Sequence, residues 1–271
     1  MSALSLGSRE LAPRHSFLAV ESFWGRVIII GLAHVALLLG WHLAVVIFAI
    51  KPFILPTPLS MLGRLGQPEY AWAYNTAVTA AEIVIGFGMA IVVGISLALF
   101  FSWSRMLTLL VFPLLITLNM IPKVALGPLV IMWLRYGIES NSVITFTLCV
   151  FPILLTTYRG LRETEPDFLD LMRSLKAKRW QIFVKLQLPG ALPYVFSGMK
   201  VAAILSVAGA VVGEFIASDS GLGYVMIQAQ SSFDTAAMFA SILLLTILGV
   251  AVYLVVMLLE LLVIPKDARV E

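Results

Sequence analysis

The side chains of this 271-residue chain that could do chemistry are few, and the largest group of charged ones collects in one stretch. Between Arg159 and Pro189, flanked by long apolar runs, stand Arg159, Arg162, Arg173, Lys176, Lys178, Arg179 and Lys185. Inside that stretch Phe168, Leu171, Met172 and Leu175 recur at i, i+3, i+4 and i+7, one apolar stripe of a helix, with Asp170, Arg173 and Ser174 turned away from it. Thr164 stands as an N-cap with Asp167 three residues on, and Pro166 falls in the first turn, where its missing N–H costs nothing. Charges at 176, 178 and 179 mark a turn, and Trp180, Phe183 and Val184 start a second stripe toward Leu188 and Pro189. Two short helices at an angle form a knob. Its chemistry is non-covalent, with two readings: a helix pair lying on lipid headgroups, or a docking surface for a soluble partner.

Covalent catalysis has little to work with. Cys149, the single cysteine, sits inside an apolar run, which excludes an internal disulfide and a cysteine metal cluster. His15 lies in a polar N-terminal segment; His34 and His42 lie on the first apolar run without an acidic partner nearby, the pattern of packed or interfacial histidines. A membrane-embedded enzyme would need a nucleophile–base pair or a metal cluster. The chain also lacks a GxxxxGK[ST] loop, so it does not hold a nucleotide in the Walker manner. No catalytic, metal or cofactor-binding residue is expected.

The elements that must position the knob are membrane spans. Hydrophobic residues make up 61% of the chain and charged ones 12%, against about 25% charged in a soluble domain; the mean hydropathy is +1.01. The apolar runs are too continuous for the alternation of a membrane barrel, which leaves an α-helical bundle. Six spans are expected, at about 27–49, 76–101, 106–121, 142–158, 191–213 and 236–264, with a broken or re-entrant half-helix between the third and fourth, where Pro122, Gly127, Pro128 and Gly137 interrupt the run. Arg9, Arg14 and Arg26 precede the first span and Arg105 follows the second, whereas 214–235 contains no Lys or Arg. The positive-inside rule then puts both termini and the 159–189 loop in the cytoplasm, giving a tail at 1–26, a transmembrane domain at 27–264 and a tail at 265–271. It also accounts for the net charge of +3 without nucleic acid.

Polar and small residues inside the spans have two readings each. Gly209 and Gly213 on the fifth span, and Gly86, Gly88, Ala90 and Gly94 on the second, let backbones approach, either in ordinary packing or at a path or dimer contact. Glu82, early in the second span, is costly unless it faces protein or water, and with Gly209 and Gly213 it is a candidate for the path or a dimer contact. Lys200 is expected to snorkel toward the cytoplasmic surface. Glu214, Asp219 and the Gly221-Leu222-Gly223 turn lie at the outer end of the fifth span, either a solvated loop or part of a gate.

The 159–189 loop resembles the EAA motif of permeases from binding-protein-dependent ABC importers. Asp170, Leu171 and Met172 fill its first three positions, Lys176 its glycine position, and Leu186, Leu188 and Pro189 its ending. Leu171 and Met172 are larger than the usual alanines, and Lys176 replaces a glycine suited to a left-handed turn, at about 1 kcal/mol of strain; either the turn differs locally or the knob fits a matching groove. The runs NMIPKVALGPLVIMWLRYGIES, FPILLTTYRGLRE, LPGALPYVFSGMKVAA and GEFIASDSGLGYVMIQAQ resemble the nitrate, sulfonate and taurine branch over about 70–264, and LSVAGAVVGEF is similar to relatives assigned to thiamin pyrimidine precursors or riboflavin.

That resemblance implies the type I importer permease fold in a bacterial inner membrane, in an N-in, C-in arrangement. It implies a path for a small organic solute or anion, formed with a second permease copy. Two ATPase subunits carrying ATP and Mg would dock on the knobs at Phe168, Asp170, Leu171, Met172, Leu175, Lys176, Leu186 and Pro189. A periplasmic binding protein would face Glu214, Asp219, Gly221 and Gly223. The rival is a stand-alone secondary transporter or channel, which would carry inverted repeats and midplane ion-coupling groups; no convincing repeat is visible.

Overall fold

The computed structural model describes residues 23–164 and 166–264. The tail at 265–271 and residues 1–22, with Arg9, Arg14 and His15, lie outside them. Every regular element among the described residues is helical. The chain divides at Ile50 into two units. The first carries α1 (Phe23–Ile47), a span-length apolar helix in which His34 Nδ1 lies 2.7 Å from the Ile30 carbonyl of the preceding turn.

From Lys51 onward α2 (Pro58–Arg64) and a 3₁₀ turn (Pro68–Tyr70) lead into α3 (Trp72–Trp103), α4 (Arg105–Asn119), α5 (Lys123–Leu134) and α6 (Ile138–Arg162). Then come α7 (Pro166–Ser174), α8 (Arg179–Ile182), a π-helical turn (Phe183–Gln187), α9 (Leu188–Ala217), α10 (Leu222–Ser231) and α11 (Thr235–Val263). Together with α1, the helices α3, α6, α9 and α11 are long and apolar enough to cross a bilayer. The core lies where α3, α6, α9 and α11 meet, around Phe87, Ala90, Cys149, Ile153, Phe196, Met199, Ala202 and Val256. Small residues bring these axes close: a Cβ on Gly94 would stand 3.1 Å from the Val150 carbonyl oxygen. Cys149 is packed there, its thiol 3.3 Å from the Ala202 carbonyl, as its apolar surroundings imply.

The expected third span is corrected. At 1.5 Å per residue the 15 residues of α4 reach about 22 Å, short of a hydrocarbon core of about 30 Å. The chain breaks at Pro122, which lacks an N–H to continue the helix, and α5 leaves at 94° to α4. Trp103, just before α4, stacks on Trp180 and Phe183 at one end of the bundle, whereas Asn141, just after α5, bonds Glu82 near the other. The bent pair α4–α5 therefore makes one crossing between them, bringing the total to six.

Candidate functional site

None of the residues of α7 is buried. Its stripe faces outward: Phe168 is 51% exposed, Leu171 55% and Leu175 69%, while Met172 is half-buried at the stripe's edge. Asp170 is exposed and pairs with Arg173 at 2.9 Å. The helix stops in a Schellman turn, the Lys176 N–H donating to the Arg173 carbonyl at 2.8 Å and the Ala177 N–H to the Met172 carbonyl at 3.0 Å. Lys176 holds φ +54°, so the turn keeps the left-handed conformation suited to glycine with a lysine in place.

The second limb runs without a break through α8 and the π-helical turn, where Leu186 is half-buried, into α9, where Pro189 is exposed in the first turn. Trp103, at the end of α3, contacts Trp180 at 6.1 Å and Phe183 at 5.4 Å between ring centroids. A cavity of about 580 Å³ lies behind the knob, lined by Ser102, Trp103, Leu169, Arg173, Ala177 and Phe183. Displacing the knob would thus load two spans, α9 through the backbone and α3 through stacked rings.

At the opposite end, residues read separately in the sequence come together. Glu82 on α3 and Glu214 on α9 are 0% and 1% exposed, and their carboxyls lie within hydrogen-bonding reach of each other. Thr79 donates to Glu214 Oε1 at 2.6 Å and Asn141 Nδ2 to Glu82 Oε1 at 2.8 Å. The Gly223 N–H donates to Glu214 Oε2, the Leu222 N–H to Thr79 Oγ1 at 2.8 Å, and the Gly221 N–H to Asn75 Oδ1 at 2.7 Å. The first N–H groups of α10, orphaned as at any helix start, are thus satisfied by side chains of α3 and α9.

Glycine is required around this cluster. Gly221 holds φ +103°. A Cβ on Gly213 would stand 2.6 Å from Asn141 Oδ1, and one on Gly223 2.7 Å from Glu214 Oε2. Gly209 packs one turn away against Thr145. Glu214, Gly213, Gly221 and Gly223 are buried, while Asp219 is exposed in the turn before α10.

Sequence reasoning missed Asn75, Thr79 and Asn141. Asn75, Thr79 and Glu82 follow i, i+4, i+7 on α3, a polar stripe on an otherwise apolar helix that could have flagged them. A nearby clamp was also missed: Arg64 Nε pairs with Asp234 at 3.1 Å, Tyr70 donates to the same carboxylate at 3.0 Å, and Asp234 caps α11. Lys200 does not snorkel; it pairs with Glu260 of α11 at 2.5 Å, because the packing of α9 on α11 brings a carboxylate within reach before the side chain gets to water. Gly86 and Gly94 pack on α6, whereas Gly88 faces open space.

Residues 90–266 match the family model described as binding-protein-dependent transport system inner membrane component. The chain is 34% identical over 216 residues to the formylaminopyrimidine transport permease protein ThiX of Halalkalibacterium halodurans, covering 79% of this chain and 86% of that one. It is 31% identical over 235 residues to the riboflavin transport system permease protein RibX of Chloroflexus aurantiacus, covering 86% and 87%. In fold it is similar to a chain of the MetNI methionine ABC transporter in an inward-facing conformation, with a TM-score of 0.63 and 18% identity over 73% of this chain and 100% of that one.

Proposed function

This chain belongs to the family of binding-protein-dependent transport system inner membrane components, multi-pass permeases of ABC importers, and from that premise we propose that the α7–α8 knob is where a separate ATPase subunit drives it. The carrying observation is the exposed stripe of Phe168, Leu171 and Leu175. In isolation that surface is unfavourable; a groove on a partner would cover it. ATP and Mg belong to the partner in this reading. Two permease copies enclose one path, each knob takes one ATPase, and the termini and knobs face the cytoplasm. A periplasmic binding protein meets the end that carries Asp219, over the Glu214, Gly221 and Gly223 cluster. Closure of the ATPase pair draws the knobs together, and α9 and α3 follow, switching between two discrete packings.

For the substrate we favour a nitrogen heterocycle of the pyrimidine or flavin kind, supported by the substrates in the names of two relatives above 30% identity; a sulfonate, taurine or nitrate is the alternative. Measuring which of these the cognate binding protein retains distinguishes them. The ATPase reading is tested with Leu171→Glu. A carboxylate on that stripe would be desolvated in a protein groove at a cost of several kcal/mol, but on a lipid-facing helix it would reach water. The variant is expected to insert and dimerise normally yet fail to co-purify with the ATPase or to couple hydrolysis to uptake. Uptake within about twofold of wild type would assign the knob to the lipid surface instead.

A further inference from the structure

The Glu82–Glu214 pair lies outside that coupling machinery, and it poses a chemical problem of its own. Ion pairs among the described residues join Arg64 to Asp234, Arg159 to Glu163, Arg173 to Asp170 and Lys200 to Glu260; none reaches Glu82 or Glu214. Of the other charged or titratable groups on the elements packed around the pair, Lys123 of α5 is held by the Asn119 carbonyl and side chain, Asp219 of the turn contacts Ser220, and Glu139 of α6 and Tyr224 of α10 show no side-chain bond to either carboxyl. Arg135 caps the end of α5 nearest the pair, its carbonyl accepting from Ser140 Oγ, but its exposed side chain bonds neither carboxyl; Arg159 and Arg162 stand at the opposite end of α6. Two carboxylates this close and this dry repel each other strongly when both are ionised.

The hydrogen-bond inventory shows which oxygen is left over. Both oxygens of Glu214 accept, from Thr79 and from the Gly223 N–H. Glu82 Oε1 accepts from Asn141. Glu82 Oε2 has no protein donor, and the adjoining Asn141 Oδ1 and Ser142 Oγ, on side chains 0% and 1% exposed, are also without partners. A calcium ion takes 6–8 oxygen ligands, and here most of the oxygens are already committed to donors. A proton needs only one donor oxygen and one acceptor.

We propose that Glu82 and Glu214 form a buried proton-binding site, with one proton on Glu82 Oε2 donated to the Glu214 carboxylate, and that this bond fastens the start of α10 to α3 and α9. Glu214, taking the Gly223 N–H from α10 and the Thr79 hydroxyl from α3, is the anion; Glu82 is the neutral acid that completes its shell. Loss of the proton would leave two charges facing each other beneath the turn at Gly221–Gly223, whose position depends on them.

The full-length chain in lipid nanodiscs tests this by infrared spectroscopy. At neutral pH it should show the carbonyl band of a protonated carboxylic acid, which Glu82→Gln removes while preserving the fold, because the glutamine amide can donate to Glu214 in the proton's place. The same proton sets a stability slope. The folded chain holds it and the unfolded chain releases it, so raising pH should favour unfolding about tenfold per pH unit across neutrality in the wild type, and that contribution should vanish in Glu82→Gln. Glu214→Gln serves as the second variant and should remove the slope as well. Absence of the band in the wild type overturns the proposal, as does its persistence in both variants or an unchanged slope. Loss of the band on adding sodium, potassium, magnesium or calcium would make the site a cation site and equally overturn it.

Discussion

The knob at α7–α8 and the carboxyl cluster between α3, α6, α9 and α10 invert the usual placement of residues. The knob exposes Phe168, Leu171 and Leu175, and its charged pair Asp170–Arg173 lies on the surface, where such pairs contribute little. The cluster buries two glutamates and an asparagine and satisfies most of their atoms from within. Apolar surface left uncovered is a demand on another molecule; polar atoms buried together are a demand on the fold itself. Changes in the knob should therefore alter coupling and spare stability, and changes in the cluster should do the reverse.

Glu214→Ala should produce the largest loss of stability. It orphans the Gly223 N–H at about 1–3 kcal/mol and leaves the Thr79 hydroxyl only its longer bond to the Asn75 carbonyl at 3.1 Å, so thermal unfolding in detergent should occur far below the wild type, while Leu171→Glu should unfold at the wild-type temperature. Equal destabilisation by the two would erase the contrast. A smaller effect is expected from Gly213→Ala, whose methyl would press on Asn141 and cost about 1–3 kcal/mol; unfolding at the wild-type temperature would mean the cluster tolerates expansion. Least of all, and opposite in sign, Lys176→Gly should relieve about 1 kcal/mol of left-handed strain. If it raises stability while leaving ATPase association unchanged, the lysine serves no contact with the partner; weakened association would give it one.

The knob was legible because its signals are local. A stripe at helical spacing and a proline in the first turn lie within a dozen residues and need no knowledge of the rest of the chain. The left-handed Lys176 could be placed by its position after the stripe, though only the backbone shows that the turn persists without glycine. The bent α4–α5 crossing was half legible: Pro122 marked the break, but whether the pieces made one crossing or two depended on which ends of the bundle they connect. Lys200 was misread because Glu260 lies on another helix, out of sight of any local pattern.

The sequence by itself determined the solvent of the protein, the helical class, the near-complete set of spans and the lack of a nucleotide loop, since composition and periodicity are properties of the chain read along its length. Only the tertiary structure decided that Thr79 meets Glu214 across 135 residues of chain, and that Glu82, Asn141 and four glycines surround the same point. Such a meeting depends on how far each helix is rotated about its axis and how closely small residues let the backbones approach, and neither quantity is carried by any one segment.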